Sequence, residues 1–241
     1  MADWDAFDSQ AYVNQNYGRG ILPEDGRIMR FAVDALRELD IPPNGIRTAA
    51  DVGAGPNLYP GLLLTPYLAE DGSLELIDRS AANLSYLRDA VTNNPPAVWR
   101  EFEENLRRLG HPTSLRKLRA VATVRAGSIF ELPAARYDAV MCFFVAESIT
   151  ADRDEFAAAL GSLLRSLRPG GVFVTAHMVG SAGYDAGPGV HFPACDLSMA
   201  EIEKAYLPYG EFRSVLTSHD DEQAARPGYH GMAAFVGRKT V

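Results

Sequence analysis

The sequence predicts an α/β fold: a mostly parallel sheet of seven strands, helices on both faces, and the last strand reversed. Three observations carry this. Strand-like apolar runs alternate with segments of helical period along most of the chain. The stretch Asp51-Val-Gly-Ala-Gly-Pro-Asn-Leu-Tyr59 sets a glycine turn between the end of a buried strand and a helix. That arrangement binds ligands at the carboxyl edge of a parallel sheet. The link between the last two strands, from His219 to Gly228, has no helix-length apolar pattern. A parallel return needs a crossover, so the final strand enters antiparallel.

Each element has its own warrant. Residues 9–40 read as helical, with a start signal at Leu22-Pro23-Glu24-Asp25: proline in the first turn and acids at the positive end of the dipole. Ile28, Phe31, Ala32, Ala35, Leu36 and Leu39 then recur at helical spacing. Ile41-Pro-Pro-Asn-Gly45 stops that helix. Residues 47–52 form the first strand and 58–68 the next helix. Glu70-Asp71-Gly72 turns into a second strand at 73–77, and Ser80 caps a helix to about Val91. Asn93-Asn-Pro-Pro96 breaks the pattern. Two helical pieces follow, separated by His111-Pro112, in a connection longer than an ordinary crossover, so residues 96–119 read as a helical insertion.

The third strand is 121–125. The fourth, 137–145, is apolar nearly throughout, as a strand covered on both faces must be. A helix over 156–167 ends at Arg168-Pro-Gly-Gly171, and a fifth strand spans 172–177. Residues 179–196 read as glycine-rich irregular chain, 197–206 as a helix, and 211–218 and 229–237 as the last strands. Together these make one domain over 1–241, with a helical lid in 1–45 and a core in 46–241.

Composition narrows the function classes. No apolar run nears the ~20 residues of a membrane span, and Met1-Ala-Asp-Trp-Asp has no basic region of the kind an export signal carries. Cys142 and Cys195 are too few for a disulfide framework, so a cytoplasmic setting is expected. A net charge of −8 disfavours a nucleic-acid partner. The basic residues of 107–119 are flanked by Glu101, Glu103 and Glu104 and read as a solvated helix surface. No histidine–cysteine spacing suggests a metal site, and neither cysteine has a base partner for thiol catalysis.

The glycine loop narrows the cofactor. A dinucleotide fingerprint has a third glycine where this chain has Leu58, and Pro56 has no N–H to offer a pyrophosphate. A nucleoside cofactor without phosphates, S-adenosylmethionine (SAM), suits such a loop. Asp78, followed by Arg79, ends the second strand where a carboxylate can accept both ribose hydroxyls. That pairing by itself does not separate SAM from NAD. Asn83 reads equally as a ligand for a cofactor carboxylate or as a solvent-facing residue. Ser128 offers a hydroxyl and Ile129 an apolar face in the loop after the third strand. Tyr12 and Tyr17 have apolar bodies and polar tips, which suit either a packed amphipathic helix or a lid that excludes water.

The chain resembles the small-molecule N-methyltransferase family that includes the nicotinamide, phenylethanolamine and indolethylamine N-methyltransferases. The likeness covers nearly its whole length. It rests on Ala11-Tyr12 and Asn16-Tyr17, the stretch Asp51–Tyr59, Asp78 with Asn83, Trp99 in the inserted helix, Phe144-Val-Ala-Glu147-Ser and Leu167-Arg-Pro-Gly-Gly171. The resemblance implies a Rossmann-like class I methyltransferase fold that uses SAM and releases S-adenosylhomocysteine. Tyr12 and Tyr17 would close over the cofactor. Gly53, Gly55, Asn57 and Tyr59 would hold its methionine part, and Asp78 its ribose. Ser128 and Ile129 would flank the adenine, and Asn83 and Phe143 would complete the lining. Two departures stand out: Ser128 occupies a position where the family often has aspartate, and Pro188 lies near the place of an acidic amine anchor, with Asp185 the nearest substitute.

Methyl transfer asks a protein to align donor and acceptor and to keep water out. A base helps where the acceptor is a phenol or a protonated amine. The acceptor-side candidates are Glu147, His177, Asp185 and His191; His219 and His230 read as surface or strand-end residues. The expected activity is SAM-dependent methylation of a small molecule, at an amine or heteroaromatic nitrogen. The alternatives are O-methylation of a small molecule and a non-catalytic SAM-binding protein. An NAD(P) oxidoreductase is disfavoured by Pro56 and Leu58. A small-molecule acceptor is the expected partner, with no nucleic acid and no membrane; monomer and homodimer both stay open.

Overall fold

A computed structural model describes residues 7–93, 95–181, 183–185, 191–218 and 229–240. The N-terminal stretch forms two helices, α1 (Ser9–Tyr17) and α2 (Pro23–Glu38), parted at Gly18-Arg19-Gly20. Gly20 takes φ +101°, a conformation open to glycine and rare for other residues. Asp8 caps α1 by accepting from the Ala11 N–H. The core then runs β1 (Ile46–Val52), α3 (Tyr59–Leu64), β2 (Leu68–Asp78), α4 (Ala81–Thr92), α5 (Ala97–Arg108), α6 (Leu115–Val121), β3 (Ala122–Ala126) and β4 (Tyr137–Phe143). It continues through α7 (Arg153–Arg165), β5 (Leu167–Val179), β6 (Gly183–Asp185), β7 (His191–Pro193), α8 (Met199–Tyr206), β8 (Gly210–Thr217) and β9 (Gly231–Lys239).

Seven strands form one sheet in the order β3-β2-β1-β4-β5-β9-β8. The pairs from β3 to β5 are all parallel. The last strand, β9, is antiparallel to both β5 and β8 and sits one place in from the edge, which β8 forms. The strand order reverses between β1 and β4, which opens a crevice beyond their carboxyl ends.

Several boundaries differ from the sequence reading: β2 begins at Leu68, so the expected turn at Glu70-Asp71-Gly72 lies within the strand, and β5 begins at Leu167 and not at 172. The helix expected over 58–68 ends at Leu64, because Leu68 already pairs with Ile46 in the sheet. The helix expected to reach 167 ends at Arg165, and Leu167 pairs with Tyr137. Residues 179–196 are not wholly irregular: β6 and β7 form an antiparallel hairpin, with Gly183 opposite Pro193 and Asp185 opposite His191.

Two apolar cores lie on either side of the sheet. One packs α2, α3, α5 and α6 and buries Trp99 and Phe102 of the inserted helix; the other packs α7 and α8 around Phe173 and Phe235. The insertion therefore belongs to the body of the domain. Among the described residues, no helix is long and apolar enough to cross a membrane.

Candidate active site

The crevice at the switch point opens into a cavity of about 1030 Å³. Its floor is the glycine loop. Gly53 and Gly55 take φ of +68° and +54°, and a Cβ on Gly53 would lie 2.4 Å from Val145 Cγ2, so the first position excludes any side chain. The N–H groups of this loop are committed inward. Those of Gly53 and Ala54 both donate to the Ile77 carbonyl, at 2.8 and 3.0 Å. That of Gly55 donates to Asp78 Oδ2 at 2.9 Å, and Pro56 has none. A pyrophosphate cradle needs these donors pointing at the ligand, so the geometry extends what Pro56 alone suggested. The insertion braces the loop from outside: Trp99 Nε1 donates to the Pro56 carbonyl at 3.0 Å.

Acceptors, by contrast, are left open. Asp51 Oδ2 and Asn57 Oδ1 are buried with no hydrogen-bond partner in the protein, and both residues line the cavity. Burial and the nearby Asp78 charge push the Asp51 carboxyl up to about 7. A buried unpartnered acceptor costs about 1–3 kcal/mol, so the site is built to receive a ligand with donors or positive charge. SAM carries an ammonium and a sulfonium at its methionine end, which fits this donor-poor, acceptor-rich wall.

Asp78 lies at the end of β2, 8% exposed, on the cavity wall. Oδ1 accepts from the Ser80 N–H at 2.8 Å and from Asn83 Nδ2 at 3.3 Å. Burial raises its carboxyl, while the Gly55, Ser80 and Asn83 bonds pull the other way. Asn83 is buried, not solvent-facing, and the Ser80 hydroxyl that caps α4 fixes the start of its helix. Arg79, Ser128, Ile129 and Phe143 also reach the cavity, as do Tyr12, Gly53, Gly55 and Asn57.

Tyr17 and Tyr59 stand one layer behind the cavity. Tyr17 accepts from Asn57 Nδ2 at 2.6 Å, which turns the Asn57 carbonyl oxygen away from it. Tyr59 donates to Asp25 Oδ1 at 2.8 Å. Burial raises Asp25 to about 6, against the hydroxyls of Tyr59 and Tyr17 that favour its charge. Phe102 of α5 packs against both tyrosine rings, at 5.3 and 5.1 Å.

The other half of the cavity is roofed by α1 and by the β6–β7 hairpin. Phe7 packs on Tyr12 at 5.3 Å and on Phe192 at 6.3 Å, and Tyr184 stacks on Phe192 at 5.4 Å. Phe144 forms part of the wall with φ +61°, rare for a bulky residue. Its N–H donates to the Ala176 carbonyl at 2.7 Å, which holds it there. Ser148, Ile149, Thr150, Glu155 and His191 complete this side. Sequence reasoning missed Phe7, Phe144, Ser148 and Tyr184 as lining residues. Their roles depend on a backbone twist and a hairpin that leave no periodic signal.

Glu147 and His177 are not brought to the cavity. They are 0% and 1% exposed and form a buried pair, Glu147 Oε2 to His177 Nδ1 at 2.8 Å. His177 Nε2 meets the Tyr206 hydroxyl at 2.7 Å, and Tyr206 bonds Thr175. Glu147 Oε1 accepts from the Met178 N–H and the Ser148 hydroxyl, both at 3.1 Å. Burial opposes ionisation of Glu147, but His177 and the Met178 N–H outweigh it and hold the carboxyl below its usual range. The expectation that these two flank the acceptor is corrected: the chain turns after Phe144 so that Glu147 points into the core and Ser148 into the cavity. Of the other two candidates, His191 lines the cavity, and Asp185 contributes backbone to β6. Pro188 and His219 lie outside the described residues. Among the described residues, no group of three His, Cys, Asp or Glu side chains could hold a metal ion.

Comparison with known proteins adds independent findings. The sequence model of the NNMT/PNMT/TEMT family matches residues 2–240. Ribosomal RNA small subunit methyltransferase G of Bradyrhizobium diazoefficiens is 30% identical over 133 residues, 53% of this chain, and the chain spans only 50% of that protein. Among solved structures, the fold is similar to a SAM-dependent methyltransferase from Methanosarcina mazei (TM-score 0.54, 12% identity, 80% of this chain and 92% of that one). It is also similar to the [4+2]-cyclase SpnF (TM-score 0.55, 16% identity, 90% and 81%). At these identities the likeness shows the fold alone, and that a cyclase shares it keeps fold and reaction apart.

Proposed function

We propose, for a chain that belongs to the NNMT/PNMT/TEMT family, that it methylates a nitrogen of a small molecule, an amine or a heteroaromatic ring, with SAM as donor. The observation that carries this reading is the aromatic second half of the cavity, lined by Phe7, Tyr12, Phe144 and Tyr184. A volume of about 1030 Å³ is large against the roughly 300–1,000 Å³ of ordinary small-molecule sites. It has room for a cofactor and a compact acceptor side by side.

When bound, SAM supplies an electrophilic methyl group on a sulfonium. The residues of this chain supply alignment and exclusion of water. Asp51 and the Asn57 carbonyl oxygen would hold the methionine ammonium, Asp78 the ribose, and Ser128 and Ile129 the adenine. The aromatic rings favour a flat, apolar acceptor and shield the reacting centre from solvent. A heteroaromatic nitrogen presents its lone pair at neutral pH without help. A protonated amine or a phenol needs a base, and His191 is the imidazole on the wall that would serve one. RNA, which the Bradyrhizobium relative's name specifies, fits poorly with a net charge of −8.

The test is a screen with isotope-labelled SAM against heteroaromatic amines, aliphatic amines, phenols and RNA, with products identified by mass spectrometry. N-methylated product from one of the first two classes is expected. Products methylated only on oxygen, or label only in RNA, would refute the reading. Tight S-adenosylhomocysteine binding without turnover on any acceptor would favour a non-catalytic SAM-binding protein.

A further inference from the structure

Ser9 lies in the first turn of the lid helix α1, 5% exposed, and its hydroxyl donates to Asn83 Oδ1 at 2.7 Å. The residues are 74 positions apart, so this bond joins the lid to the core. With its carbonyl oxygen engaged by Ser9, the Asn83 amide must point its NH2 the other way, and it donates to Asp78 Oδ1 at 3.3 Å. Asn83 and Asp78 are 6% and 8% exposed and both line the cavity. The other end of α1 repeats the pattern: Tyr17 accepts from Asn57 Nδ2 at 2.6 Å, and Asn57 also lines the cavity. The helix is thus tied at both ends to asparagines of the cofactor wall.

We propose that Ser9 is a positioning residue for the ribose-binding carboxylate, acting through Asn83, so that docking of α1 and the grip on the ribose are one equilibrium. This rests on the reading of Asp78 as the ribose acceptor. The physical reason is directional. An amide side chain has a donor end and an acceptor end, and a free Asn83 could turn its carbonyl oxygen toward Asp78, where two acceptors repel. The Ser9 hydroxyl fixes the orientation in which Asp78 is bonded and aimed. Removing that hydroxyl leaves a buried amide oxygen unpartnered and loosens the carboxylate. When the ribose hydroxyls bind Asp78, they add load to an acceptor already oriented from the lid. Cofactor affinity and lid closure therefore rise together, as linkage requires.

The test uses the full chain and three variants, Ser9→Ala, Ser9→Thr and Asp78→Ala. The probes are S-adenosylhomocysteine and its 2′,3′-dideoxy analogue, with affinities from calorimetry and the melting temperature of the ligand-free protein recorded beside them. Ser9→Ala should weaken S-adenosylhomocysteine about 5-fold, the value of one buried hydrogen bond. It should leave the dideoxy analogue within about 2-fold. Ser9→Thr, which keeps the hydroxyl, should restore affinity for the natural ligand. A Ser9 side chain that merely held α1 in place would weaken both ligands alike, and that result overturns the proposal. So does full S-adenosylhomocysteine affinity in Ser9→Ala. If Asp78→Ala leaves that affinity unchanged, the ribose assignment itself falls. If Asp78→Ala weakens it and Ser9→Ala does not, only the coupling through Asn83 falls.

Discussion

Replacing Asp51 with Asn should stabilise the ligand-free protein and weaken the cofactor site, and both effects should grow as pH rises. Asp51 ends β1, fully buried, with Oδ2 unpartnered and Asp78 nearby, and its carboxyl is raised from 3.8 to about 7. Folding therefore disfavours its charge. Below the unfolded value both states are protonated and the penalty is absent. It grows as pH rises and levels off above the folded value, and about 3 pH units at 1.36 kcal/mol each make it about 4 kcal/mol at pH 8. Asp51→Asn removes the ionisation while keeping the shape, so its melting temperature should exceed wild type at pH 8 and match it near pH 4. Binding has the opposite sign. A ligand ammonium pairs with the ionised carboxylate, so wild-type affinity should fall about tenfold per pH unit below about 7. Calorimetric titration with S-adenosylhomocysteine from pH 5.5 to 8.0, beside thermal unfolding of the free protein, reads both. A flat wild-type affinity across that range, or a variant less stable than wild type at pH 8, would refute the assignment of Asp51 to the cofactor ammonium.

Two further outcomes follow from the same geometry. Glu147→Gln should destabilise the protein by about 2 kcal/mol at pH 7, because it removes the ionised acceptor of the buried hydrogen bonds from the His177 ring and the Met178 N–H. Folding lowers this carboxyl's pKa, so its contribution is present above the ordinary carboxylate value and lost as pH falls through the folded one; urea unfolding at pH 7 and pH 4 should show the wild-type advantage shrinking, and a constant gap would count against the pair. Gly53→Ala should abolish cofactor binding, since a Cβ there meets Val145 Cγ2 at 2.4 Å and φ is +68°; adding Val145→Ala should recover folding but only part of the affinity, as the backbone strain stays, and normal binding by Gly53→Ala alone would show that the loop adjusts freely.

Much of this protein is legible in its sequence because the signals are local. Strand and helix periods, the glycine turn, the cap at Ser80 and the missing crossover before the last strand each depend on a few neighbouring residues, and together they set the sheet and its reversed strand. The two glycines and Asp78 stood out because a cofactor loop and the acid ending the next strand have fixed spacing along the chain, whereas Asn57 and Asn83 were assigned only through the family resemblance; all five line the cavity. Glu147 shows where local reasoning stops. It follows the fourth strand at the place acceptor-side residues occupy, yet one turn of the backbone after Phe144 decides whether it faces the cavity or His177. Asp51 and Ser9 are similar cases: a carboxylate oxygen left without a partner and a hydroxyl bonded 74 residues away carry no mark in the sequence. The sequence by itself determined the class of fold, the cofactor loop and the kind of ligand that loop suits. Only the tertiary structure decided which polar groups face the cavity and which are spent on one another, because that depends on contacts between segments distant in the chain.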